Sequence, residues 1–131
     1  MPTRPLIAIV DDDESVRLAL RSLIRSVGLA AQAFESAADF LAAANMSHVG
    51  CLILDVNMPG MTGLALHRQL VTLGQAIPTI LITAKPDDAT QAEALRQGVL
   101  CYLCKPFAED DLLAWVNLAL GRAGPAGAKP P

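Results

Sequence analysis

The sequence predicts an α/β protein in which five short strands form a parallel sheet with helices on both faces. Two observations along the chain predict it. Short apolar runs recur, as in Leu6-Ile7-Ala8-Ile9-Val10 and Cys51-Leu52-Ile53-Leu54, and they lack the alternation of a half-solvated strand. Between them the apolar period lengthens to that of a helix. The third observation is composition: 131 residues with 53% hydrophobic and 18% charged side chains suit one packed domain. Aromatic residues are only 4%, so the predicted core is aliphatic.

The elements follow in order. Residues 6–10 sit between a proline and three aspartates and read as the first strand. Over 13–28, Val16, Leu20, Leu23, Ile24 and Val27 share one helical face, Arg17, Arg21 and Arg25 share another, and Gly28 is the stop. Residues 30–34 read as a weak second strand, and Ser36 as the cap of a helix over 37–45. The third strand is 51–54. Pro59-Gly60 and Gly63 mark a loop in which the glycines are expected to supply unusual backbone angles, with a helix over 64–73. Residues 79–83 are strand-like, 87–97 helical before Gly98, and 101–104 strand-like. Pro106 and Glu109-Asp110-Asp111 start a last helix over 108–121. Residues 4–121 are expected to form the domain, and 122–131, rich in Gly, Ala and Pro, a flexible tail or the start of a linker.

Several function classes are excluded. A formal net charge of −3 lacks the basic footprint of a nucleic-acid binder. No apolar run approaches the roughly 20 residues of a membrane span, and the apolar stretch at 6–10 is too short for a secretory signal. The expected compartment is the cytoplasm. Three cysteines do not make a disulfide framework. Cys101 and Cys104 have a C-x-x-C spacing, but on one strand they would lie about 10 Å apart and face opposite ways, so they are expected to pack rather than react. His48 and His67 are expected at the surface.

The chemistry gathers at the strand ends. The first strand runs into Asp11-Asp12-Asp13, the third into Asp55, the fourth into Thr83-Ala84 and the fifth into Lys105-Pro106. In open parallel sheets ligands bind beyond the carboxyl ends of the strands. Crowded carboxylates repel one another, and a hard divalent cation relieves that repulsion while keeping positions for phosphate oxygens. A cation on one side, Lys105 on the other and the Thr83 hydroxyl nearby would hold a phosphoryl group, with one carboxylate as nucleophile. Taken singly the signals are weak: Asp12 or Asp13 could cap the first helix, and Asp55 could be a turn residue before Pro59-Gly60. Their conjunction, each at a strand end, is what points to a site.

Four segments carry a family resemblance: Ile9-Val10-Asp11-Asp12-Asp13-Glu14, Asp55 to Gly63, Ile82-Thr83-Ala84 and Cys104-Lys105-Pro106-Phe107. In this order and spacing they resemble the receiver domain of two-component response regulators, most closely receivers of nitrogen-fixation-type transcriptional regulators. The resemblance implies a (βα)5 flavodoxin-like, doubly wound fold with strand order 2-1-3-4-5. It implies that Asp55 accepts a phosphoryl group from a sensor histidine kinase or phosphotransfer protein. It also implies a Mg2+ site, with Mn2+ as an alternative ion, built from Asp12 directly, Asp11 through water, Asp55, and the backbone carbonyl of Asn57. Thr83 and Tyr102 match the switch pair, and Lys105 the lysine that pairs with a phosphate oxygen. Val56, beside the acceptor, occupies a position that can influence phosphate lifetime.

The last helix carries more apolar surface than one buried stripe needs, with Trp115 at the edge of the face and Leu118 outside it. In the family, the fourth helix, fifth strand and fifth helix form the surface that dimerises or meets an output domain, so Trp115 and Leu118 are expected interface residues, with a homodimer as one outcome. The expected output is transcription through a DNA-binding domain outside this chain, without direct contact of this chain with nucleic acid or membrane. The alternative is a stand-alone regulator acting by protein contact or as a phosphate sink. An aspartyl-phosphate phosphatase would want an acidic residue where Asn57 stands, and a non-phosphorylated scaffold would not need Asp11, Asp12, Asp55, Thr83 and Lys105 together. The chain is expected to be a signalling phosphoacceptor, not a classical enzyme.

Overall fold

A computed structural model of the chain describes residues 5–43, 48–75 and 77–121. Five strands alternate with five helices: β1 (Leu6–Val10), α1 (Glu14–Ser26), β2 (Ala30–Phe34), α2 (Ala37–Ala43), β3 (Val49–Asp55), α3 (Gly63–Thr72), β4 (Thr79–Thr83), α4 (Asp88–Arg96), β5 (Cys101–Cys104) and α5 (Glu109–Ala119). The strands pair in parallel in the order β2-β1-β3-β4-β5. This is the flavodoxin-like order, with crossovers that place helices on both faces.

Strand pleating divides the aliphatic core into two layers. Ile7, Ile9, Cys51, Ile53, Ile80 and Ile82 meet Leu20 and Ile24 of α1 and Leu112 and Val116 of α5. Ala8, Val10, Leu52, Leu54 and Leu81 face the other way, onto Phe40 of α2, Leu66 and Leu70 of α3 and Ala94 of α4. Phe34 and Phe40 make an edge-to-face pair at 5.4 Å in that second layer. Because β1, β3 and β4 are covered on both sides, their sequences are continuous apolar runs.

The element ends differ from the sequence expectations by one or two residues where capping decides. Asp13 is the N-cap of α1, accepting from the Ser15 amide at 2.8 Å, and so leaves the candidate metal cluster to Asp11 and Asp12. Gly28 takes φ +83° just beyond the helix. Ser36 accepts from the Asp39 amide at 3.1 Å at the start of α2, whose expected last residues, 44–45, lie outside the described part. β3 extends from Val49 through Asp55. Thr62 caps α3, which begins at Gly63.

Three expectations need correction. Gly60 does take φ +82°, but Gly63 has no positive φ; glycine is needed there because a Cβ would run into the Asp55 carbonyl group. His67 is not a surface residue: it is buried beside Leu66 and Leu70, with Nδ1 3.3 Å from the side-chain amide of Gln97, while His48 is exposed. The α5 flank is half covered rather than open. Trp115 packs against the core, and Trp115 and Leu118 line a groove of about 670 Å³ shared with His67, Val71, Pro78 and Leu100. Among the described residues, the large apolar side chains most open to solvent are Leu18, Val27, Val71, Leu73 and Leu95.

The cysteines are all free, Cys51 and Cys101 buried and Cys104 exposed. Burial pushes the Cys51 and Cys101 thiols up to about 12. No described helix is long and apolar enough to cross a membrane. The expected tail, 122–131, lies outside the described residues.

Candidate functional site

The candidate site lies at the carboxyl ends of β1, β3, β4 and β5. Pairing of Val10 with Leu54 puts Asp11, just past β1, beside Asp55, the last residue of β3. Pairing of Asp55 with Ile82 and of Thr83 with Cys104 brings Thr83 and Lys105 to the same end. Asp11, Asp12, Asp13, Asp55, Asn57, Ala84, Lys85 and Lys105 surround a cleft of about 350 Å³, and Thr83 is fully buried at the end of β4 beside it.

One carboxylate oxygen each from Asp11, Asp12 and Asp55 lies within 4.8 Å of the other two. Asp11 is fully buried and Asp55 only 6% exposed, whereas Asp12 is open to solvent. Asp11 is fixed from several sides. Its Oδ1 accepts from the Asp13 amide at 2.9 Å, its Oδ2 lies 3.3 Å from Nζ of Lys105, and its carbonyl accepts from Nη1 of Arg17 at 2.8 Å. Lys105 also approaches Oδ1 of Asp55 at 3.8 Å, and the Asn57 amide donates to that oxygen at 3.4 Å.

These contacts leave negative charge on Asp55 poorly compensated. Its carboxyl is pushed up to about 6, first by removal from water and then by the Asp11 charge; Lys105 and the Asn57 amide oppose the shift, and Asp12 adds to it. An all-oxygen, carboxylate-rich cluster with the Lys105 ammonium beside it has the donor chemistry of a hard divalent cation. The residues present therefore fit Mg2+.

Thr83, fully buried, accepts through Oγ1 from Nδ2 of Asn57 at 3.1 Å and from the Lys85 amide at 3.0 Å. Tyr102, half-buried on β5, accepts through its hydroxyl from the Asp87 amide at 3.2 Å. The segment between β4 and α4 is thus held near one end by Thr83 and at the other by Tyr102. Asp87 itself caps α4 through Thr90.

Sequence reasoning anticipated which strand ends converge but missed three contributors. Asn57 was expected to act through its backbone carbonyl, yet its side chain reaches Thr83. Arg17 was read only as one of a helical row of arginines, and it clamps the Asp11 carbonyl. Gly63 was read for backbone angle, and it instead lets α3 start against Asp55.

Residues 7–117 match the family model described as the response regulator receiver domain. The response regulator protein TodT of Pseudomonas putida is 46% identical over 115 residues, covering 88% of this chain and 51% of that protein. The transcriptional regulatory protein FixJ of Azorhizobium caulinodans is 37% identical over 127 residues, covering 97% of this chain and 60% of its own length. The chain thus spans about half the length of the curated relatives it matches. Among solved structures, the response regulator StyR aligns with a TM-score of 0.85 at 39% identity, over 91% of this chain and 60% of that one. With the strand order, the acid cluster and this match in agreement, the chain belongs to the receiver domain family of two-component response regulators.

Proposed function

We propose that this chain is a phosphoacceptor switch in which Asp55 takes a phosphoryl group from a histidine kinase or phosphotransfer protein. In the transfer, an Asp55 carboxylate oxygen forms a bond to phosphorus, the bond from phosphorus to the donor imidazole nitrogen breaks, and its electron pair returns to the ring. Asp11, Asp12, the Asp55 carboxylate and the Asn57 carbonyl would hold Mg2+, or Mn2+ in its place. When bound, the cation supplies the Lewis-acid charge that lets one anion approach another. Lys105, already 3.8 Å from Asp55, offers its ammonium to an incoming phosphoryl oxygen.

The observation that carries this reading is the convergence of Asp55, raised to about 6, with Asp11, Asp12 and Lys105 at one cleft. Burial next to two like charges is costly for a group without a task, and perturbed carboxylates in clefts mark functional sites. Thr83 and Tyr102 would convert the modification into movement, because a ligand shifts a two-state equilibrium only through contacts that differ between the states. A shift from 1:99 to 99:1 takes about 5.5 kcal/mol of such difference. Outward signalling would pass through α4, β5 and α5, with Trp115 and Leu118 at a homodimer or output contact. The expected output is transcription, by a DNA-binding domain joined to this one in the cytoplasm.

Incubation with a small phosphodonor and Mg2+, read by intact mass, tests the reading. One added phosphoryl group is expected, absent in Asp55→Asn and absent when the cation is chelated. Undiminished phosphorylation of Asp55→Asn would refute the assignment.

A further inference from the structure

We infer that the Asn57 side chain is a positioning residue: its amide pins the Thr83 hydroxyl in the unmodified protein and releases it when Asp55 is phosphorylated. The inference rests on the phosphoacceptor reading of Asp55 and adds the element that resists switching until the modification arrives.

A threonine oxygen has two acceptor positions and one proton. Nδ2 of Asn57 donates to Oγ1 of Thr83 at 3.1 Å and the Lys85 amide donates at 3.0 Å. Both acceptor positions are therefore filled, from two different loops, and the oxygen is anchored between them at the fully buried end of β4. Rotation of the Thr83 side chain has to give up one bond or both.

Asn57 is placed to feel the state of Asp55. It stands two residues beyond it, its backbone amide donates to Oδ1 of Asp55 at 3.4 Å, and it lines the same cleft as Asp55 and Lys105. A phosphoryl group on Asp55 brings three strong acceptor oxygens into that cleft. The amide then has an anionic acceptor in place of a neutral hydroxyl, and hydrogen bonds to charged acceptors are roughly twice as strong. Transfer of the amide leaves Thr83 one acceptor position short and its side chain free to turn. The consequence reaches the segment between β4 and α4, since Thr83 also holds the Lys85 amide. Asn57 thus acts through Thr83 and not on the reacting atoms.

Nuclear magnetic resonance on the full chain tests this, first without divalent cations or phosphodonor. The wild type is expected to show a cross-relaxation signal between the Asn57 side-chain amide protons and the Thr83 methyl group, with Thr83 in one dominant χ1 rotamer. In Asn57→Ala, which keeps the backbone carbonyl and changes an exposed side chain, the Thr83 rotamer ratio is expected to move by roughly threefold to tenfold, the equivalent of one ordinary hydrogen bond. The Lys85 amide resonance should move with it. An unchanged Thr83 rotamer and Lys85 resonance would overturn the inference, as would absence of the wild-type cross-relaxation signal, which requires no variant. After phosphorylation verified by intact mass, the Asn57–Thr83 signal is expected to vanish; its persistence would overturn release. Absence of any mass gain would instead refute the acceptor reading and the release step with it, while the resting contact is judged by the Thr83 measurements alone.

Discussion

Replacing Asp55 with asparagine should stabilise the cation-free protein at neutral pH and leave it unchanged in acid. Burial and the neighbouring acids push the Asp55 carboxyl up to about 6 in the folded chain, from the ordinary 3.8 of an aspartate. A raised carboxyl pKa means that the folded state binds more protons than the unfolded state between these two values. Stability contributed by this group therefore falls as pH rises from about 4 to 6, and the full penalty persists above 6. Two pKa units at 1.36 kcal/mol each set a ceiling of about 3 kcal/mol. Asp55 borders an open cleft, and asparagine forfeits its pairing with Lys105, so about 1–2 kcal/mol is the expected gain. For a domain of this size that is a melting-temperature increase of roughly 4–10 °C. The assay is urea unfolding of both proteins in a chelating buffer at pH 4 and pH 7.5. A difference of the same size at both pH values, or a less stable variant at pH 7.5, would refute the electrostatic account. Addition of Mg2+ at pH 7.5 should narrow the gap, because only the wild type has the full carboxylate set.

Further outcomes follow from other contacts. Asp12 is exposed and its side chain faces the cleft, so Asp12→Asn should weaken Mg2+ binding by roughly tenfold or more in titration calorimetry, with stability in chelator altered by less than about 0.5 kcal/mol. Gly63→Ala would press a Cβ onto the Asp55 carbonyl and within 3.2 Å of Leu81 Cδ2, so a loss of about 1–3 kcal/mol is expected in urea unfolding, with weakened phosphoryl acceptance through displacement of Asp55. Thr62→Ala removes the hydroxyl that caps α3 at the Ala65 amide and should cost about 1 kcal/mol by the same measurement. A thiol reagent at pH 8 should label Cys104 quickly, and Cys51 and Cys101 only on unfolding, counted by mass.

Much of this architecture was legible because the constraints are local or periodic. The run Leu6 to Val10 has to be covered on both faces, and Val16, Leu20 and Ile24 have to share one face of a helix. Once the strands are parallel, their last residues have to meet at one end, which is why Asp11, Asp55, Thr83 and Lys105 could be placed together. Contacts set by loop paths were not legible. Asn57 and Thr83 are 26 residues apart, and no propensity tells which way a solvent-facing asparagine turns. His67 lies on the buried face of α3, and Gln97, from the segment after α4, comes to face it. The flank at Trp115 looked open because the groove walls supplied by α3 and Pro78 are invisible to a single-helix pattern.

The division between legible and illegible parts follows the division of labour in the site. Rigid strand ends set the acids at fixed separations, and folding leaves the Asp55 charge only partly compensated by Lys105. A site that crowds negative charge responds strongly to whatever changes that charge, a bound cation that offsets it or a phosphoryl group that adds to it. The loops carrying Asn57, Lys85 and Asp87 hold the responding side chains with single hydrogen bonds of 3.0–3.2 Å, each worth about 1 kcal/mol net. Bonds of that size keep a resting state dominant, yet they are small beside the ~5.5 kcal/mol that a complete reversal of the equilibrium requires. On the phosphoacceptor reading, the charge cluster is therefore the source of the switching energy and the loops are its reporters. A variant that loosens a loop should change the balance between states by severalfold, whereas one that removes Asp55 or Lys105 should abolish the response.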